Sequence, residues 1–450
     1  RYSYDPALIT VTSGQAELRP INVPSWYDRR WLYRRLITVN NGTGGPLTDF
    51  VVELNLDNTN FTFANARDNG EDIRMTTVDG TTFQNFWAES WDKAGETARL
   101  WLRCDNLAAG DNYFFIYYGN SSAPTLSDYS TTLDQIGEIQ KNITTNGNNW
   151  SNNNAFSNAF TSTPVVVAHM QTRSNSSEAH TRVRNISTTD FDVAVESSRT
   201  TTHSGGETMG WVAMLPGSWV IGDVHVEAGT LAGVDEDSWA TANFANNFSA
   251  APGVIAIQQT ANISGTGQND TTKSQVRLRN IGTNNFDIII EQDDDASHDY
   301  DPNTETIGYI AADPATFDTS LPNLKGQMQS STVETPNVFY YEWIDITSSH
   351  AASPVVLPTI GTANQTDNEN HAHSRIKSVT TSRFQLQLEE CDDCSEGHAF
   401  EDVSWLAMDS GLIWGHDYVD PMPSAAVDNN EQVILYSTAN PTIEPATDGE

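Results

Sequence analysis

The sequence has few cysteines and few basic residues, and both shortages limit what the protein can be. Three cysteines in 450 residues do not provide a disulfide framework. Lys and Arg total 23 against 59 Asp and Glu, a net charge of −36, so the surface repels nucleic acid and anionic lipid. We therefore expect no nucleic-acid partner. A saline or Ca²⁺-containing medium would screen the self-repulsion of such a surface.

Long apolar runs and recognisable targeting segments are also missing. No run of about 18 apolar residues occurs, so we expect no membrane insertion in this segment. The chain opens at Arg1 without a signal peptide, as expected for a mature or excised part of a longer exported protein. Asn-x-Ser/Thr sequons fit an exported glycoprotein. The candidate asparagines are Asn41, Asn60, Asn142, Asn175, Asn185, Asn262 and Asn364.

Apolar residues instead alternate with polar ones in short segments bounded by Gly, Asn, Asp and Pro. Residues 191–195, 286–290 and 384–388 are clear examples, each beginning with Phe. Period-2 alternation indicates half-buried strands, and no segment shows a sustained helical period. The sequence therefore predicts an all-β protein, a multidomain array of antiparallel β-sandwiches.

Three segments share one order of residues, which indicates an internal repeat. Each has an aromatic residue, a Pro that begins a strand, a strand with two basic residues, a Phe-led strand and a closing aromatic strand. The first repeat carries Trp150, Pro164, Arg182, Arg184, Phe191 and Trp211. The second carries Trp239, Pro252, Arg277, Arg279, Phe286 and Tyr309. The third carries Tyr341, Pro354, Arg375, Lys377, Phe384 and Trp405.

These patterns divide the chain into six parts. The predicted parts are an N-terminal strand and linker (1–24), a separate β domain (25–130), three sandwich repeats (131–222, 223–323 and 324–420) and an extended C-terminal tail (421–450).

The first β domain has its own set of motifs. They are Trp26-Tyr27, Trp31-Leu-Tyr33-Arg-Arg-Leu-Ile37, Asp72-Ile-Arg74, Val78-Asp-Gly80, Trp91, Trp101 and Tyr117-Tyr-Gly-Asn120. With these residues the segment 26–125 resembles a domain of unknown function in secreted bacterial and archaeal multidomain proteins. The resemblance implies a surface or pilus-associated adhesin with lectin-like neighbours, and it brings no catalytic residues.

The repeats resemble H-type lectin domains, most clearly between Ile344 and Ala407. That stretch has a Pro-Val-Val strand at Pro354, the turn Val379-Thr-Thr-Ser-Arg-Phe384 and the closing Val403-Ser-Trp-Leu-Ala407. The resemblance implies six-stranded antiparallel sandwiches that often form trimers and bind sugars at an edge.

A His followed by a Glu recurs in one loop of every repeat and is the first candidate site. The pairs are His203 and Glu207, His298 and Glu305, and His398 and Glu401. Such a pair could bind sugar hydroxyls or a metal. Alternatively, the Glu accepts backbone N–H bonds within its loop while the His packs beside it, and repetition in all three units favours this structural role.

Two further loops carry candidate chemistry. Asp293, Asp294, Asp295, Asp299 and Asp301 supply hard oxygen ligands suited to Ca²⁺, the one cofactor we consider, although acidic loops are common in so acidic a chain. Cys391 and Cys394 have CxxC spacing, which favours a small disulfide over a zinc or redox site.

Expectations for three single residues complete the set of candidates. Cys104 is expected to be a buried free thiol, and Trp211 and Trp405 are expected to lie in the core.

These observations predict a non-enzymatic extracellular protein of a cell surface or appendage. No Ser-His-Asp order, phosphate loop or HExxH motif stands out. An adhesin that binds carbohydrate or host glycans comes first. A structural subunit of a filament or surface layer, which would associate with itself or with other appendage subunits, is the alternative. A glycan hydrolase with accessory modules is the third.

Overall fold

The structure of the chain is a computed structural model. It describes residues 9–12, 15–18, 26–146, 149–174, 179–197, 203–263, 274–292, 303–318, 325–333, 341–364, 372–390 and 399–434. The chain forms two compact units, one from Arg1–Thr132 with Pro421–Glu450 and one from Leu133–Asp420. Both consist almost wholly of antiparallel strands, which confirms the predicted all-β class. No helix in the described ranges is long and apolar enough to cross a bilayer.

The first unit begins with nine strands and two short helical turns. The strands are β1 (Ile9–Thr12), β2 (Gln15–Leu18), β3 (Tyr33–Asn41), β4 (Leu47–Asp57), β5 (Arg74–Thr77), β6 (Phe83–Gln84), β7 (Phe86–Asp92), β8 (Thr97–Leu107) and β9 (Gly110–Tyr118). A 3₁₀ turn covers Phe63–Asn65, and helix α1 covers Tyr129–Thr132. Strands β3, β9, β5 and β6 form one sheet, β4, β8 and β7 form another, and β1 and β2 form a hairpin. Ile37, Leu100 and Ile116 are fully buried in the two larger sheets.

The second unit contains three repeats of six strands each. Repeat 1 has β10 (Asp134–Asn146), β11 (Ser151–Ala155), β12 (Val165–Met170), β13 (Ala179–Arg184), β14 (Asp190–Ser197) and β15 (Gly206–Met214), and β16 (Gly217–Ile221) follows it. Repeat 2 has β17 (Val224–Val234), β18 (Ala240–Asn243), β19 (Gly253–Gln258), β20 (Ser274–Arg279), β21 (Asn285–Gln292) and β22 (Glu305–Ala312), and β23 (Thr316–Asp318) follows it. Repeat 3 has β24 (Lys325–Val333), β25 (Glu342–Asp345), β26 (Val355–Ile360), β27 (Ala372–Lys377), β28 (Arg383–Glu390) and β29 (Glu401–Met408), and β30 (Gly411–Asp417) follows it.

Each repeat is a sandwich of two three-stranded layers. In repeat 1 the layers are β12-β15-β10 and β11-β14-β13, and repeats 2 and 3 have the same order. The Phe-led strand of one layer packs on the closing aromatic strand of the other. The ring centroids of Phe191 and Trp211 lie 5.2 Å apart in a T-shaped contact. The equivalent pairs, Phe286 with Tyr309 and Phe384 with Trp405, lie 5.1 and 5.2 Å apart. The predicted core positions of Trp211 and Trp405 are confirmed.

The short strand after each repeat joins the first strand of the next repeat. Strand β16 pairs with β17, and β23 pairs with β24. Strand β30 follows the last repeat and pairs with β10, the first strand of repeat 1. The three repeats therefore form a closed ring within one chain.

The chain then returns to its first unit, and this corrects the prediction of an extended tail for residues 421–434, whereas residues 435–450 lie outside the described residues. Strands β31 (Ser424–Val427) and β32 (Gln432–Val433) both pair with β3. Buried arginines of β3 hold this segment: Arg34 donates to Gln432 Oε1 at 2.7 Å, and Arg35 donates to the carbonyl of Asp428 at 3.0 Å. The short and polar sequence of this segment suggested a linker. In the structure its backbone instead pairs with β3 and completes the edge of a sheet.

Candidate functional site

The charged residues of the repeat motif meet at the junctions between repeats. Arg182 of repeat 1 contacts Glu305 of repeat 2 at 2.9 Å. Arg277 of repeat 2 contacts Glu401 of repeat 3 at 2.5 Å. Arg375 of repeat 3 contacts Glu207 of repeat 1 at 3.0 Å. All six side chains are fully buried. Each repeat gives an arginine to the next and receives one from the previous repeat, so the ion pairs follow the same cycle as the strands.

The position of these arginines on their strands explains their burial. In β13, Val183 is buried in the sandwich core, so Arg182 and Arg184 lie on the opposite face of the sheet. The neighbouring repeat covers Arg182 but leaves the side chain of Arg184 24% exposed. Each buried arginine also faces a glutamate of its own repeat. Arg182 lies 3.1 Å from Glu196, Arg277 lies 3.4 Å from Glu291, and Arg375 lies 4.0 Å from Glu389.

The glutamate of each junction also fixes its own loop. Glu207 accepts a hydrogen bond from the Ser174 N–H at 2.8 Å, and Glu305 accepts hydrogen bonds from the N–H groups of Asn262 and Ile263. Glu401 accepts one from the Asn364 N–H at 3.1 Å. Such bonds favour the charged carboxylate, as the structural reading of this loop expects.

The expectation that these glutamates bind an external sugar or metal is wrong. Burial alone would raise the pKa of Glu207, but hydrogen bonds from His203, Thr172 and Ser174 and the charge of Arg375 hold it below its usual value. His203 is equally buried, 3.0 Å from Glu207, so this pair does not reach the surface. His298 and His398 lie outside the described residues.

The first aromatic residue of each repeat motif lies over the second basic residue of the same motif. The Arg184 guanidinium lies 3.9 Å from the ring centroid of Trp150, and Arg279 lies 3.9 Å from that of Trp239. In repeat 3 the Lys377 ammonium lies 3.5 Å from the Tyr341 ring centroid. These three aromatics are cation–π partners within their repeats.

The other predicted sites have separate outcomes. Asp293, Asp294, Asp295, Asp299 and Asp301 lie outside the described residues, as do Cys391 and Cys394, so calcium binding and the disulfide stay predictions. Cys104 is buried and free, as predicted, and burial raises the pKa of its thiol.

Of the seven sequons, the fold argues against Asn41. This residue is 1% exposed, and its Nδ2 donates to the carbonyls of Gly45 and Leu107. A glycan on Nδ2 would displace both bonds, so the prediction for Asn41 is wrong. Asn175 lies outside the described residues. Asn60, Asn142, Asn185, Asn262 and Asn364 are exposed or half-buried and stay predictions.

A cavity of about 60 Å³ lies where the three repeats meet. Five residues of each repeat line it, among them His169, His180 and His373. The sequence analysis selected neither His169 nor His180, and it did not place His373 in a site with them. Their signal was weak, because each stands alone in a strand and the equivalent residues of repeat 2 are not histidines.

Repeat 3 contains a second polar cluster that sequence reasoning missed. The Oγ of Ser348 lies 2.7 Å from Nε2 of His350, and Nδ1 of His350 lies 2.8 Å from Oδ1 of Asp409. His350 stands where repeats 1 and 2 have the buried rings of Phe160 and Phe248. The hydrogen bonds satisfy a polar ring at an apolar position, which gives the cluster a structural role.

Two large aromatic side chains in the described part of the repeats are open to solvent, Trp343 and Phe400, and Phe400 is 52% exposed. Trp343 on β25 is 46% exposed, and the Arg383 guanidinium lies 4.2 Å from its ring centroid. A flat ring of this kind can stack on the apolar face of a sugar.

Comparisons with known proteins give limited similarity. Residues 69–153 match DUF2341, a domain of unknown function. Halomucin of Haloquadratum walsbyi is 29% identical over 230 residues, which cover 46% of this chain and 2% of halomucin. The chain thus spans a small fraction of that relative. No solved structure matches.

The DUF2341 match supports the resemblance predicted for the N-terminal domain over residues 69–125 and extends into repeat 1. The resemblance of the repeats to H-type lectins stays a prediction.

Proposed function

We propose that this chain is a non-enzymatic part of an extracellular surface protein, in which the ring of repeats is a rigid structural module. The observation that supports this proposal is the role of the repeated charged residues. Arg182, Arg277 and Arg375 and their glutamates join the repeats to one another, so the residues common to all three repeats serve assembly. We favour a filament or surface-layer subunit, which is the structural alternative named in the sequence analysis.

Two other features support a surface location in a saline medium. The net charge of −36 requires counterions to limit self-repulsion. The similarity to halomucin, from a halophilic organism by its printed name, agrees with that chemistry. We propose self-association or assembly with other surface subunits as the function of the exposed parts, without a nucleic-acid partner.

Electron microscopy of the full 1–450 chain, at high and low NaCl, tests this proposal. Regular filaments or lattices at high salt support the structural subunit. Discrete particles at every salt concentration contradict self-assembly and favour an adhesin. Turnover of a polysaccharide in the same preparation would contradict the non-enzymatic proposal.

Carbohydrate binding is the second candidate, and Trp343 favours it. Alanine substitution of a stacking aromatic is expected to abolish sugar binding, so Trp343→Ala is compared with the intact chain on a glycan array with and without Ca²⁺. Tyr113→Ala is the matched control, because Tyr113 is 45% exposed but belongs to the other unit. Glycan binding that survives Trp343→Ala would rule out this site.

A further inference from the structure

The cavity where the three repeats meet is lined by equivalent positions of each repeat. Its volume of about 60 Å³ has room for about four water molecules. His180, Gln275 and His373 all line it, and each is the second residue of its strand, β13, β20 or β27. Two of the three equivalent positions are therefore histidine, and the third is glutamine.

A glutamate on the adjacent strand lies beside each histidine, and it forms a hydrogen bond with His180. Nε2 of His180 lies 2.8 Å from Glu196, and Nε2 of His373 lies 3.4 Å from Glu389. An imidazole that donates its Nε2–H to a carboxylate carries its lone pair on Nδ1, which is the common arrangement of a metal-binding histidine. The two ring centroids lie 5.8 Å apart. A metal at about 2.0–2.1 Å from each Nδ1 can bridge rings at that spacing.

We propose that His180 and His373 bind one divalent transition-metal ion, such as Zn²⁺, Ni²⁺ or Cu²⁺, in this cavity. The ion links repeat 1 to repeat 3. Water and the side chain of Gln275 complete its coordination. This inference is independent of whether the chain forms filaments or binds sugars.

The donor set selects the kind of metal. Neutral imidazole suits Zn²⁺, Cu²⁺ and Ni²⁺, whereas Ca²⁺ and Mg²⁺ prefer oxygen ligands. Within the described residues no three His, Cys, Asp or Glu side chains converge on one point, so the protein contributes the two imidazoles and leaves positions open to solvent.

The test measures binding of Ni²⁺, Zn²⁺ or Cu²⁺ to the full 1–450 chain after chelator treatment, by calorimetry and by the midpoint of thermal unfolding. We expect one ion per chain, a raised unfolding midpoint and no such effect of Ca²⁺. Glutamine is the residue of repeat 2 at this position, so His180→Gln and His373→Gln should fold. Each should weaken binding at least tenfold, and the double variant should not bind.

Two further variants separate this site from nonspecific binding. Gln275→His adds a third imidazole and should tighten binding at least tenfold. His350→Phe removes a histidine outside the cavity and should leave binding unchanged. Stoichiometric binding that persists in the double His→Gln variant, or no saturable binding to the parent chain, would overturn the proposal.

Discussion

The three junctions of the ring share their ion pairs but differ in a second, neutral contact. Gln171 of repeat 1 bonds to both backbone groups of Val356 in repeat 3, at 2.9 and 2.7 Å. Gln259 of repeat 2 makes the same bonds to Val166 of repeat 1, at 3.0 and 2.7 Å. The junction of repeats 2 and 3 has no such glutamine. There, Thr359 Oγ1 accepts a hydrogen bond from the Ala256 N–H at 3.0 Å.

Side-chain volume explains this difference. Gln171 lies over Gly210, where a Cβ would come within 2.6 Å of the glutamine amide carbon. In repeat 3, Gly361 occupies the glutamine position and Ser404 occupies the glycine position. The larger residue has changed sides, although serine is smaller than glutamine. The ion pairs therefore define the ring, whereas the neutral contacts can change between junctions as long as each pair of residues still fits.

The largest expected effect comes from removing one arginine of a junction. Arg182→Met leaves Glu305 buried without its countercharge, and we expect a loss of about 3–5 kcal/mol in the free energy of unfolding of the ring. Denaturant titration at high salt measures it. If the ring is closed, Arg277→Met and Arg375→Met cost a similar amount, because all three pairs are fully buried.

Arg184→Met is the matched control, since Arg184 lies on the same strand two residues further on and is partly exposed. It should cost less than about 1 kcal/mol. A much smaller effect of Arg375→Met than of Arg182→Met would mean that repeats 1 and 3 do not close the ring in solution.

The next effect concerns the pH dependence of stability at His225, on β17 of repeat 2. His225 stacks between Phe248 and Tyr418, with ring centroids 4.2 and 3.8 Å away. Burial lowers the pKa of His225 to about 4 from 6.5. A lowered pKa means that the unfolded chain binds the proton more readily, so this stabilisation is complete above pH 6.5. It is lost as pH falls toward 4, by at most about 3 kcal/mol.

Thermal unfolding between pH 7.5 and 4.5 checks this prediction. Repeat 1 has Ile136 at the position of His225, so His225→Ile is a variant that the fold already accommodates. Its unfolding midpoint should fall less steeply with acidification than that of the parent chain. Parallel pH profiles would show that other groups cause the acid sensitivity.

A double-mutant cycle sharpens the comparison of the neutral contacts. Gly210→Ser places a side chain against Gln171 and Val355, and we expect a cost of about 1–3 kcal/mol. The same change in a Gln171→Gly background recreates the residue pair of repeat 3 and should cost at least 1 kcal/mol less. Additive effects of the two changes on the free energy of unfolding would refute the exchange of volume between these positions.

The sequence predicted the sandwiches but not how they assemble. Phe191 and Trp211 were assigned correctly, because alternation within one repeat identifies its own core. Arg182 and Glu207 were recognised as repeated, yet their partners belong to other repeats, and no local pattern shows which surfaces meet. The available signal was an arginine that alternates with core residues at the same position of every repeat. A solvent-exposed position does not require arginine in all three repeats, so this repetition could have indicated a buried contact.

The smallest effect should come from His350, where repeat 3 again differs from the others. In His350→Phe a phenyl side chain, as found at this position in repeats 1 and 2, replaces a histidine that contacts Ser348 and Asp409. Repeat 2 already combines Phe248 with Asp313 at the position of Asp409, so the pair is compatible with the fold. Gained apolar burial and lost hydrogen bonds nearly cancel, and the free energy of unfolding should change by less than about 1 kcal/mol. A loss of several kcal/mol, with Ser348→Ala and Asp409→Asn equally damaging, would mean that this cluster holds repeat 3 together as the ion pairs hold the ring.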